Sequence, residues 1–423
     1  MEVTYQTYIV LGIVIFMFIG MLWKKLEFGM APIIAMVLLV LTGSATISEA
    51  FYGFTNQYVV MTACILILNN AFGKTSLVSK LQHWITTISK GKGGTFLYLL
   101  LLVVALVLPM LPGSGFMILL VLILNLPKND GISSSQILLP IGLLTSIAGM
   151  KMPTAGSIMM VGMLSGFLQG AGEITYLDYL IPGLISVAVI TVYSMFAYRI
   201  LPKHEVGAAE SVSDDEADHR GSLSKGKEIL TYIAMIVSVV GFALSDSLGD
   251  IAFMLPAAAA LILVLSNVIT FKEASSVLSS KIVLMMAAIF GVVNVMGLRG
   301  VNTLFGSWIQ NLLGSNPSSW MILIAFTLAA FIILNLTGAS FSTLTILAPM
   351  AVAYCMQVGY DPSAVVVCMF HGMTALLLPT DTNISLLIAN GKYRLVDVWK
   401  YTVPLAVLML TSLIISCGLL MPM

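Results

Sequence analysis

Apolar residues in this chain come in long unbroken runs, at roughly 7–23, 27–45, 57–73, 95–111, 116–127, 135–170, 179–201, 228–246, 250–270, 281–298, 320–337, 341–357, 363–390 and 398–420. A helix needs about 20 apolar residues to cross ~30 Å of hydrocarbon. The pattern therefore predicts an all-α polytopic membrane protein. One polar stretch, 202–227, interrupts it. That stretch holds an acidic run from Ser213 to Asp218 followed by Arg220, Lys225 and Lys227. It is too short for a folded domain and reads as a solvated cytoplasmic linker between two halves, 1–201 and 228–423.

The halves follow one plan. Each has three apolar segments, then two short ones joined at a Gly/Ser turn, then a long one broken at Pro-Thr, then a last helix. Gly113-Ser114-Gly115-Phe116 answers Gly338-Ala339-Ser340-Phe341, and Met152-Pro153-Thr154 answers Leu378-Pro379-Thr380, with 39–40 residues between turn and break in both halves. This shared order predicts an internal repeat, with hairpins at about 95–127 and 320–357 and broken helices at about 135–170 and 363–390. If each hairpin enters and leaves on one side, each half crosses five times and the second half is inverted. With both termini outside, every one of the 19 basic residues except Arg299 and Lys151 falls on the cytoplasmic side or in its loops, as the positive-inside rule requires. The expectation is two inverted repeats, ten crossings and two re-entrant hairpins in the plasma membrane.

Composition removes the other classes. The chain is 59% hydrophobic and 9% charged, with 19 acidic residues balancing the basic ones, against about 25% charged in soluble domains. A soluble enzyme, a nucleic-acid binder and a disordered scaffold are excluded. The first apolar run lacks a basic n-region and a small-residue cleavage site and reads as a retained helix. Cys64, Cys355, Cys368 and Cys417 stand singly in apolar runs, which speaks for buried reduced thiols and against transition-metal ligation. The 27 methionines read as apolar filler.

Chemistry is expected at the breaks. A broken helix in hydrocarbon leaves amides and carbonyls that protein or water must satisfy. Here the breaks fall at 149–157 and 378–383, where Pro153 and Pro379 each lack an N–H. Thr154, Ser157, Asp381 and Asn383 are candidate caps for restarted half-helices, and the hairpin tips near Ser114 and Ser340 start second arms. Four helix N-termini converging near the midplane suit a small anion, and unwound carbonyls suit a monovalent cation. Lys151 and Asp381 lie where charge costs about 2.5–3.5 kcal/mol on insertion scales, so an ion pair, a cation mimic or a substrate contact all fit Lys151. Asp381 is a candidate cation ligand or proton carrier. His371 is a candidate for proton coupling; Asn294, Asn335 and Thr337 are candidates for polar lining.

With repeat order, hairpins, the run Leu378-Pro379-Thr380-Asp381-Thr382-Asn383 and the following Gly391-Lys392-Tyr393, nearly the whole chain resembles the divalent-anion:sodium symporter family of the ion-transporter superfamily. The resemblance implies a scaffold that dimerises, a transport domain that moves like an elevator, and a substrate held between the hairpin tips. It also implies two cation clamps: Ser114 and Gly115 with residues 149–154, and Ala339 and Ser340 with residues 379–383. Expected substrate contacts are Ser114, Gly115, Lys151, Thr154, Ser340, Thr380, Thr382 and Asn383. Expected cation-binding or coupling positions are Gly149, Ser157, Ala339, Asp381 and His371, and Na⁺ is the one cofactor considered. Where that family carries Ser-Asn-Thr at its tips, this chain has Ser114-Gly115-Phe116 and Ala339-Ser340-Phe341.

The leading function is a secondary transporter of a small anion, such as a di- or tricarboxylate or sulfate, coupled to Na⁺ or H⁺ or working by exchange. A cation/proton antiporter carrying its ion on Asp381 is the alternative. An intramembrane serine hydrolase is disfavoured, because Pro112 stands where GxSG requires glycine and Ser114 and His371 sit in different halves. No Walker-type phosphate loop appears, so a primary pump is disfavoured too.

Overall fold

The computed structural model describes residues 4–22, 26, 29–76, 80, 87, 94–110, 116, 119–120, 123, 132–168, 170–204, 206, 223–244, 248–314, 317–338, 340–378 and 382–423. Among them the chain is helical, with no strand. The first half runs α1 (Tyr5–Leu22), α2 (Met30–Leu41), the short α3 (Ile47–Ala50), α4 (Gln57–Gly73), α5 (Gly94–Val107), α6 (Ser134–Lys151), α7 (Ala155–Leu168) and α8 (Tyr176–Ala197). The second runs α9 (Lys225–Ala243), α10 (Asp250–Leu265), α11 (Phe271–Leu278), α12 (Lys281–Leu298), α13 (Val301–Leu313), α14 (Ser319–Thr337), α15 (Ser340–Val358), α16 (Ser363–Gly372), α17 (Thr382–Gly391) and α18 (Leu395–Leu420).

By length and composition, five of the described helices can cross a membrane, or six if α6 and α7 are taken as one bent span; α1, α2, α4, α5, α10 and α16 are apolar but shorter. The outer faces of the bundle present large apolar side chains such as Phe196, Leu265 and Leu336. That is the surface lipid requires, and it makes the chain a multi-pass membrane protein.

Packing pairs recur between the halves. α1 packs on α2 as α9 packs on α10, and α2 lies against α12 as α10 lies against α4. The first arm of each hairpin packs on the first half of the following broken helix, α5 on α6 and α14 on α16. Each of those half-helices also packs on the last helix of its own half, α6 on α8 and α16 on α18. Across the halves α6 meets α17, α7 meets α16, and α8 meets α18.

The turns after α2 and α10 are also built alike. Gly43 and Asn267 take left-handed φ values of 68° and 54°, a conformation that glycine and asparagine tolerate best. Three residues on, Thr46 and Thr270 cap α3 and α11, and Glu49 and Glu273 complete the capping boxes. Each glutamate then reaches a cation that ends a helix of the other half. Glu49 meets Arg299, after α12, at 3.2 Å, and Glu273 meets Lys74, after α4, at 2.6 Å. The same cations touch matching carbonyls, Arg299 Nε donating to Ser44 O at 2.6 Å and Lys74 Nζ to Val268 O at 3.5 Å. The Lys74 clamp sits at the end of α4 and the Glu49 clamp at the end of α12. Thr7 near the start of α1 donates to Arg299 O at 2.7 Å beside one clamp, while Ser76 N, two residues after Lys74, donates to Glu228 at 2.7 Å.

The first break falls where Pro153 put it. The second does not. α16 stops at Gly372, so the interruption opens at Met373, not at residue 378, and α17 is already helical at Thr382 and Asn383. Most of the second arm of the first hairpin, with Ser114, Gly115, Ala339, Thr380 and Asp381, lies outside the described residues, as do residues 207–222 of the linker. The four cysteines are free and buried.

Candidate functional site

The first break is closed by its own side chains. Met152 is extended (φ −83°, ψ 162°) at the end of α6. Thr154 then caps α7 reciprocally, its Oγ1 accepting from Ser157 N and its N donating to Ser157 Oγ, both at 3.0 Å. Thr154 Oγ1 also donates to Gly149 O at 3.2 Å, satisfying a carbonyl that the break leaves free. Ser157 is thus the third helical residue answering the cap, and its Oγ bonds Tyr176 OH at 2.9 Å. Tyr179 OH donates to Met150 O. Across this junction the axis turns by 53°.

The second break is held from outside. Asn335 on α14 donates from Nδ2 to Ala375 O at 2.9 Å, and its Oδ1 accepts from Leu377 N at 2.7 Å and Leu378 N at 3.3 Å. Trp399 Nε1 on α18 donates to Leu377 O at 2.9 Å. Asn335, read from sequence as polar lining, is therefore the clasp of the unwound backbone. Asn294 instead holds Glu49 O, and Thr337 bonds back to Ile333 O. At the hairpin tip α14 ends on Gly338, at a left-handed φ of 69° that favours glycine, and α15 restarts at Ser340.

Between these pieces lies a cavity of about 430 Å³, within the range of small-molecule sites. Its described polar lining is Ser146, Ser340, Ser342, Thr374 and Asn383, and none of its described lining residues is charged. Asn383 Nδ2 donates to Ser146 Oγ at 3.0 Å, joining the second break to the first-half helix α6. The starts of α15 and α17 reach this cavity; the start of α7 does not, since its lining residues begin at Met160. Two of the four expected N-termini therefore face the space, and the first hairpin's tip lies outside the described residues.

Lys151 and His371 sit elsewhere. Lys151 is wholly buried, its Nζ donating to Ser186 Oγ on α8 at 3.1 Å. His371, equally buried, donates from Nε2 to Tyr179 O at 2.9 Å, because a carbonyl can only accept. That fixes the tautomer and leaves Nδ1 as a buried acceptor with no partner among the described residues. Gly183 of α8 packs between the two, so that a Cβ there would stand 3.2 Å from both Lys151 Cβ and His371 Cε1.

Of the residues expected from sequence, Ser340 and Asn383 line the cavity. Thr154, Ser157 and Gly149 shape the first break, Lys151 and His371 pair off against α8, and Thr382 opens α17. Ser146, Ser342, Thr374, Ser186 and Tyr179 were not singled out, since lone hydroxyls in apolar runs carry no distinguishing pattern.

A helical bundle with a polar-tipped cavity at the junction of two interrupted helices and a hairpin tip defines a membrane transporter, not an enzyme. The family model described as CitMHS, citrate transporter, matches residues 18–262, more than half of the chain. The chain belongs to that family, and it is a secondary transporter of small solutes. No curated protein matches it. Among solved structures, the YdaH transporter of Alcanivorax borkumensis is similar, at 14% identity and a TM-score of 0.62, over 90% of this chain and 87% of that one. MtrF of Neisseria gonorrhoeae, described as one of a class of antimetabolite efflux pumps, is similar at 14% identity and a TM-score of 0.56, over 91% and 84%. At that identity the likeness is one of fold.

Proposed function

We propose that this transporter moves a small anion, a di- or tricarboxylate such as citrate or a sulfate-like ion, by alternating access, driven by Na⁺ or H⁺ or by exchange. The cavity where the two breaks and the second hairpin tip converge carries the reading. Hydroxyl and amide groups and two helix N-termini face one space there, the arrangement that accepts negative charge without a fixed cation. The family's printed description supports a carboxylate cargo.

In this reading the halves are inverted repeats, which the exchange-related packing pairs and the matching Glu–cation clamps at the ends of α4 and α12 support. The clamp at Lys74 marks the cytoplasmic rim and the clamp at Arg299 the outer rim, with both termini outside. The chain works as a homodimer in the plasma membrane, with an elevator-like transport domain, on the strength of its resemblance to the divalent-anion:sodium symporters. Lys151, outside the cavity, stands in for one bound cation and not for a substrate contact, and Asp381 ligates the other cation or carries a proton. A cation/proton antiporter is the second reading, favoured by the buried Nδ1 of His371 beside Lys151. Uptake of labelled citrate, succinate and sulfate into proteoliposomes, under imposed Na⁺ or pH gradients, tests both. Gradient-driven uptake of one anion is expected; proton movement with Na⁺ and no anion would replace the first reading with the second.

A further inference from the structure

The cavity's other chemistry is sulfur. Five of its seventeen described lining residues are methionines (Met21, Met150, Met160, Met163 and Met373), where the chain's composition of 27 in 423 would place about one. Four of the five come from the first half, on α1, α6 and α7, whereas four of the five polar lining residues come from the second half. Phe341 and Phe370 extend the apolar lining. Met160, Met163 and Met373 are buried, so their thioethers form a packed surface of the cavity. The first-half side of the space is therefore apolar but for Ser146, and the second-half side sets four polar residues among apolar ones.

A polycarboxylate without an apolar substituent leaves the methionine side of such a space unused. Charged groups turned to the polar side meet hydroxyls, amides and helix starts, but any turned to the thioethers lose water and receive no hydrogen bond in return. An apolar substituent there gains by burial. Methionine, unbranched and polarizable, adapts to more than one such shape and contacts aromatic rings well. We infer that the cargo is an amphipathic carboxylate, with its acid groups toward Ser340, Thr374 and Asn383 and an aryl or alkyl substituent against the methionine wall. This deepens the anion-transporter reading and rests on it.

Thermal unfolding of the purified full-length protein, titrated with succinate, phenylsuccinate, citrate and phenylacetate, tests the inference. Phenylsuccinate is expected to stabilise at a concentration about tenfold below succinate, and phenylacetate, which carries the ring without the paired acids, to give no shift. Met163→Ser is expected to shrink the phenylsuccinate preference to below about threefold; if that variant does not fold, the wild-type ratio still decides. Equal or tighter binding of succinate, or an unchanged preference in Met163→Ser, would each overturn the amphipathic cargo while leaving an anion site standing, and a shift by phenylacetate would overturn the paired acid groups assigned to it. Absence of stabilisation by all three polycarboxylates would instead remove the anion reading beneath it.

Discussion

Lys151 is where the structure makes its most costly statement. Its ammonium carries three N–H donors and gives one to Ser186 Oγ; among the described residues no carboxylate stands within ion-pair distance of it. Insertion scales charge a central lysine about 2.5–3.5 kcal/mol, and one hydroxyl bond returns only about 1 kcal/mol of that. The remainder, about 1.5–2.5 kcal/mol, is what an apolar residue of similar length recovers there. Lys151→Met keeps the length of the side chain, so we expect a gain of about 1–3 kcal/mol in resistance to thermal or chemical unfolding in detergent, together with lost or altered ion dependence of transport in proteoliposomes. A loss of more than about 1 kcal/mol would refute the reasoning, because it would mean that the ammonium is compensated and structural. Unchanged rate and ion dependence would take Lys151 out of the transport cycle altogether.

Three further outcomes follow from particular contacts. Gly183→Ala drives a methyl group to 3.2 Å from Lys151 Cβ, Lys151 O and His371 Cε1, so a lower unfolding temperature is expected, at a cost of about 1–3 kcal/mol; an unchanged midpoint would show that α8 yields freely at that point. Asn335→Ala strips partners from Ala375 O, Leu377 N and Leu378 N and should cost at least about 2 kcal/mol, and Asn335→Leu, which keeps the bulk without a hydrogen-bonding group, should cost as much; a near-neutral Asn335→Leu would assign the effect to packing. In the outer clamp, Glu49 and Arg299 are each more than a quarter exposed, so a double-mutant cycle of Glu49→Gln and Arg299→Gln should return about 0.2–1 kcal/mol of coupling. The Thr46 N–H holds the Glu49 carboxyl below its usual range against the opposing effect of burial, with the Thr46 hydroxyl and Arg299 assisting. That contribution is fully present above about pH 4.3 and is lost as pH falls through the folded value. Wild type and Glu49→Gln should therefore converge in stability at acid pH, and a gap that widened on acidification would reverse the assignment.

What the sequence disclosed, and what it hid, divides along local and distant hydrogen bonding. The first break was legible because every group that closes it lies within a few residues: Pro153 forbids the helix, and Thr154 and Ser157 cap the restart. The second break was placed at Pro379, yet unwinding starts at Met373, because Asn335 and Trp399 reach in from α14 and α18 to bond the freed backbone. Nothing near Met373 in the chain announces partners that far away. Lys151 was visible as a charge in a central apolar run, but its partner Ser186, across α8, was not. Ser340 and Asn383 were found by their positions after a glycine turn and a proline, and both line the cavity. Its methionines were passed over, since a thioether in an apolar helix looks like filler until several face one space.

Under the proposed inverted repeat, the clamps explain why the likeness of the halves is faint in sequence. Between the turn after α2 and the turn after α10 hardly a residue is shared except those that fix backbone or charge: a left-handed position at Gly43 and Asn267, a threonine cap, and a glutamate three residues on. Apolar positions drift because any large hydrophobic side chain satisfies lipid, whereas a capping box and a cation at fixed reach tolerate few replacements. The glutamates grip cations that end helices of the opposite half, and so cross-brace α4 to the turn after α10 and α12 to the turn after α2. The elements around the cavity carry no ion pair of this kind among the described residues; their breaks are held by hydroxyl, amide and indole bonds to bare backbone. Under the proposed elevator, the braced helices are then the frame that stays still. The moving body is the one whose bonds to the unwound segments lie largely within itself, since Asn335, Trp399 and Thr154 travel with the breaks they hold.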